Sequence, residues 1–128
     1  MIYEFPIRTL TTHTSDEPLE TVLKLTKGVL HQLDIISYPG ARGTLYIALY
    51  HGGHKVFPTN PLEYFRLAGE PFSFTERYKL ATDPFTLVAH TYLYDADNYH
   101  DARIRIGLLL EDELSGVILK WSEELPAI

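Results

Sequence analysis

Two histidines set around a pair of glycines, His51-Gly52-Gly53-His54, are the residues of this chain best placed for metal chemistry. Imidazoles three positions apart across a tight turn can converge on one ion. A transition-metal site needs a third and a fourth ligand, and no sequence-local carboxylate supplies one. A two-glycine turn flanked by surface histidines is the plainer reading and the one preferred. Asp95, Asp97, Asn98 and Asp101 carry the hard oxygens that calcium takes. Their spacing opens like an EF-hand loop but lacks its central glycine and its closing bidentate glutamate, so ordinary turn chemistry is expected. The other histidines, at positions 13, 31, 90 and 100, are not at ligand spacing. No serine lies in a Gly-x-Ser-x-Gly elbow, and no phosphate-binding, dinucleotide-binding or His-Glu-x-x-His motif occurs. A glycosidase pair of carboxylates is spatial, and nothing in the sequence singles one out. The expectation is a protein with no catalytic residue, no cofactor and no metal.

Tyrosine is the residue type that ordinary surface chemistry explains least. Tyr46, Tyr50, Tyr92 and Tyr94 fall on alternating positions of two strongly patterned segments. Tyrosine joins an apolar ring to a polar tip and is enriched where proteins meet partners or sugars. These four rings are expected either in an interface or under a second sheet as part of the core.

The elements that carry them are written in period-two alternation. In Thr44–His51, Leu45, Ile47 and Leu49 point one way and Tyr46, Ala48 and Tyr50 the other, as successive strand side chains must. Phe85–Tyr94 sets Leu87, Ala89, Thr91 and Leu93 against Val88, His90, Tyr92 and Tyr94. Ala102–Leu110 sets Ile104, Ile106 and Leu108 against Arg103 and Arg105. A first strand is expected over about residues 2–12, at a sheet edge because Pro6 cannot donate to a ladder. Leu19–Thr26 and Val29–Tyr38 flank Lys27-Gly28 and read as a hairpin whose glycine takes positive φ. In the second of these, Val29, His31, Leu33, Ile35 and Ser37 share a face. His54–Phe57 is a short strand and Phe72–Leu80 a strand or helix. Residues 58–71 form an irregular stretch in which Tyr64, Phe65 and Leu67 share a helical turn.

These segments predict an all-β chain, an antiparallel β-sandwich or jelly roll of about seven or eight strands. Residues 1–113 form the sandwich domain. Residues 114–128 form a C-terminal arm in which Val117, Ile118, Leu119 and Trp121 offer an apolar contact surface. At 128 residues, one domain can bury a core without staples. Cysteine is absent, which excludes disulfides, thiolate catalysis and iron–sulfur clusters. The net charge is −6, with six acids and five bases in residues 1–64 and eleven acids and six bases in residues 65–128. With no basic block to neutralise phosphates, nucleic acid is not an expected partner. No apolar stretch approaches the roughly 20 residues that span a bilayer, and Met1–Pro6 lacks the form of a secretory signal. A soluble protein made in the cytoplasm is expected, with no membrane partner.

The stretch Gly28–Leu110 resembles the small β-sandwich structural proteins of tailed-bacteriophage heads, such as decoration proteins. The points of likeness are a compact acidic cysteine-free β domain, the turn Tyr38-Pro39-Gly40, the segment Phe57-Pro58-Thr59-Asn60-Pro61 and short terminal arms. That resemblance implies a homo-oligomer seated on a capsid lattice in a virion. The competing class is a jelly-roll carbohydrate-binding module, a monomer stabilised by glycan or calcium.

Overall fold

The computed structural model describes residues 1–38, 40, 42–60, 63–67, 71–81 and 85–109. They form nine antiparallel strands and no α-helix. The strands are β1 Ile2–Thr9, β2 Leu19–Lys24, β3 Gly28–Ser37, β4 Leu45–His51, β5 His54–Phe57, β6 Phe65–Leu67, β7 Phe72–Leu80, β8 Thr86–Leu93 and β9 His100–Leu109. One sheet has the order β1-β9-β3-β7. The other runs β2-β8-β4-β5, with β6 also paired to β4. β8 occupies one side of β4 from Leu45 to Tyr50. β5 and β6 therefore share the other side end to end, β5 against Leu49–His51 and β6 against Leu45–Ile47. Apart from the run β4-β5-β6, every connection crosses from one sheet to the other.

The core lies between the sheets. Ile7, Leu30, Leu33, Ile35, Leu80, Ile104, Ile106 and Leu108 face Leu23, Leu45, Ile47, Leu49, Leu67, Leu87, Ala89 and Leu93 in one apolar cluster. The aliphatic faces read from β4, β8 and β9 are all among the buried residues. One polar bridge crosses this core: Thr9 on β1 and Thr91 on β8, both fully buried, join hydroxyl to hydroxyl at 2.8 Å. Pro6 is on an edge strand, as its missing N–H requires.

Four expectations are corrected. The segments on either side of Lys27-Gly28 do not form a hairpin: β2 pairs with β8 and β3 with β7 and β9, in different sheets. Each has a face to bury, and placing them in opposite sheets turns Leu23 and Leu30 into the same core. Gly28 is needed for closeness and not for positive φ, since a Cβ there would stand 2.4 Å from the Leu109 carbonyl oxygen. Within β3 the register with β9 shifts between Leu30 and Gln32, a bulge that reverses the alternation. Leu30 is therefore fully buried and His31 only half-buried. The strand count is nine because Phe65–Leu67 completes the edge of β4 where a helical turn was expected. The arm residues Val117, Ile118, Leu119 and Trp121 lie outside the described residues.

Candidate functional site

β4 is the central strand of its sheet, and its side chains divide cleanly between two environments. Leu45, Ile47 and Leu49 enter the core, while Tyr46, Ala48 and Tyr50 lie on the opposite face. On β8 the same face carries Val88, His90 and Tyr92, with Tyr92 opposite Tyr46 and His90 opposite Ala48. The rings collapse together over the small Ala48, which is fully buried although it points away from the core. Tyr46 and Tyr92 stack with centroids 4.8 Å apart and planes 5° from parallel. Tyr50 stacks on His90 at 4.0 Å. Tyr64 sets its ring edge-on to Tyr92 at 5.2 Å, and its hydroxyl lies 3.4 Å from that of Tyr50. Arg66, opposite Tyr46 on β6, donates to the Gly43 carbonyl at 2.7 Å, with its guanidinium 6.0 Å from the Tyr46 ring centre.

The result is a continuous aromatic ledge on the outer face of the five-stranded sheet. Burial pushes the Tyr64 phenol well above its usual range, and the Tyr50 hydroxyl adds to that. Burial also raises Tyr92 and lowers His90, the latter opposed by Glu20 at 3.6 Å. Tyr64 and Tyr92 are thus held further from ionisation and His90 favours its neutral form, so these groups present neutral hydroxyls and ring edges. Its ring faces are largely spent on one another, which leaves edges and polar tips for a partner.

Of the four tyrosines singled out in the sequence, three meet here. Tyr94 does not: it follows the end of β8, is 71% exposed and makes no ring contact among the described residues. Tyr64 and His90 join the ledge beside the tyrosines that the sequence singles out. Tyr64 comes from the irregular stretch before β6, where no alternation marks a face. His90 was legible as a face-mate of Tyr92, by parity along β8.

The other candidate groups separate. Gly52 and Gly53 take φ of 58° and 83°, the two positive values of a tight hairpin turn between β4 and β5, and His51 and His54 are cross-strand partners beside it. His51 Nδ1 lies 2.6 Å from the Tyr78 hydroxyl on β7, which ties one sheet to the other, while His54 is exposed. Among the described residues no three histidines or carboxylates gather as a metal site. Asp101 belongs to β9 and pairs with Arg8, away from the Asp95–Asn98 loop with which it was grouped. No helix among the described residues is long and apolar enough to cross a membrane. No protein-family model matches the chain, and no curated protein sequence does.

Proposed function

We propose that this chain is a non-enzymatic structural subunit, a jelly roll that assembles as a homo-oligomer on a capsid lattice, as a decoration or minor head component of a tailed-bacteriophage virion. The aromatic ledge carries the assembly reading. Interface centres are enriched in tyrosine and depleted of charge, and a row of edges and neutral hydroxyls suits packing against protein. With stacked neighbours occupying the ring faces, the ledge is poorly suited to sugar stacking. The jelly-roll reading is supported by strand order. If β5 and β6 count as one interrupted strand, eight strands fill two four-stranded layers, and every connection but the one after β4 crosses between them, the form that capsid and lectin domains share. The virion setting is supported by the resemblance of the sequence to head decoration proteins.

Light scattering coupled to size exclusion tests the assembly. Full-length protein at micromolar concentration is expected to run as a multimer. Tyr92→Lys or Tyr50→Lys, each placing a cation in the ledge, is expected to disperse it while the β-sheet circular dichroism signal persists. A wild-type monomer throughout the micromolar range, or a multimer indifferent to both substitutions, overturns the reading.

A further inference from the structure

A second surface, on the outer face of the four-stranded sheet, has different chemistry. At the end where β1 and β3 finish and β9 begins, Pro6 and Arg8, Tyr38, and Asp101 and Arg103 enclose a depression of about 360 Å³. The Arg8 guanidinium lies 4.2 Å over the ring of Tyr99 and is forked by Asp101, at 2.8 Å from Nε and 3.1 Å from the terminal nitrogen. Held on a ring and in a fork, Arg8 presents its remaining N–H groups in a fixed plane. Tyr38 is half-exposed and, in contrast to the ledge tyrosines, makes no ring stacking contact among the described residues.

We propose that this depression is a saccharide-binding site for a neutral pyranose. The chemistry selects that class over others. Each guanidinium in the depression already has a carboxylate, Asp101 for Arg8 and Glu4 for Arg103 at 3.2 Å, so an anionic ligand would have to compete with both. A pair of adjacent sugar hydroxyls needs an acceptor beside a donor. Asp101, whose carboxyl the Arg8 hydrogen bond holds below its usual range, accepts, and Arg8 and Arg103 donate. The ring of Tyr38 is left for the C–H face of the sugar, and the volume falls in the range usual for small-ligand sites. The site is independent of the ledge, which lies on the other sheet.

The test is a titration of uniformly ¹⁵N-labelled full-length protein with the methyl glycosides of glucose, galactose, mannose and N-acetylglucosamine. Each is added to about 50 mM, enough to populate a site of millimolar Kd. At least one glycoside is expected to shift, saturably, the amides of Tyr38 and of Asp101–Arg103. Tyr38→Ala and Asp101→Asn are each expected to weaken its binding by about tenfold or more. Tyr38→Phe, which keeps the ring, and Val22→Thr, on the opposite sheet, are expected to bind as wild type. No saturable shift with any of the four, shifts that map elsewhere, or affinity unchanged in Tyr38→Ala and Asp101→Asn overturns the proposal. Tyr38 is exposed and Asp101 half-buried, and an unchanged melting temperature in both variants separates lost binding from lost fold.

Discussion

The threonine pair inside the core makes a quantitative claim about what joins the two sheets. Thr9 and Thr91 come from different sheets, are fully buried and bond at 2.8 Å. Among the described residues no buried side-chain polar atom lacks a partner. Replacing Thr91 with Val keeps the shape but strands the Thr9 hydroxyl in an apolar layer, at a cost of about 1–3 kcal/mol. Thr9→Val strands Thr91 by the same argument and by a similar amount. The double variant removes both hydroxyls together and is expected near wild-type stability, because two matched apolar groups replace a matched polar pair. In urea, with a slope of about 1–3 kcal/mol per molar, a single substitution near 2 kcal/mol moves the midpoint by about 1 M. The double variant is expected to restore most of it, giving a coupling of about 3–4 kcal/mol, at the upper end for residues in contact. All four proteins must be compared at one protein concentration, since any self-association adds to apparent stability. If the double variant costs the sum of the singles, each hydroxyl has its own separate partner, and the cross-sheet bond is not what satisfies them.

Ile106 is fully buried in β9, and Ile106→Ala is expected to cost about 2–5 kcal/mol by urea denaturation. A loss below about 1 kcal/mol contradicts its place in the core. Gly28→Ala drives a methyl against the backbone of Leu109 and is expected to cost about 1–3 kcal/mol by the same measurement; a neutral result means that the β3–β9 approach is looser than described. His90 has a folded pKa pushed below 6.5 by burial, so below that pH the unfolded chain takes up the proton first. Its contribution to stability is therefore present above about pH 6.5 and lost as pH falls through the folded value. His90→Gln is expected to flatten the decline of melting temperature between pH 6.5 and the carboxylate range, and an identical slope in the variant rules His90 out as its source.

What the sequence made legible was which way side chains point, and what it hid was which strands pair. Alternation in β4, β8 and β9 identified the core faces because one side of each strand is aliphatic and the other aromatic or charged. Parity is silent about neighbours. A two-residue break such as Lys27-Gly28 reads the same whether it turns a hairpin or carries the chain between sheets, and here it crosses. The bulge before Gln32 inverts parity in mid-strand, which is why simple alternation groups His31 with Leu33 and Ile35 and leaves Leu30 off their face. Three-residue β6 is too short to show a period at all, and Tyr64 was missed with it. Arg8 and Asp101, 93 positions apart, could be joined only by knowing that β1 lies against β9.

The strand edges bear on where a partner can bind. Strands at sheet edges expose unpaired backbone groups, and soluble proteins block them with proline or charge. Pro6 interrupts β1, Glu20 and Lys24 project from β2, and Glu76 and Arg77 from β7. With three edges guarded in this way, the sandwich is better built to associate through a face than by extending a sheet. Its two outer faces are unequal. The four-stranded sheet carries Glu4, Arg103 and Arg105 in one ion-paired group and Gln32, Asp34 and Ser73 in another hydrogen-bonded one. Burying such groups against protein demands that each find a new partner or keep its old one in a drier setting. The five-stranded sheet carries rings whose hydroxyls are neutral and already partly desolvated, so covering them costs little further hydration. The aromatic face is thus the one suited to meet another protein subunit, and the charged face is suited to small ligands that can satisfy its polar groups one by one.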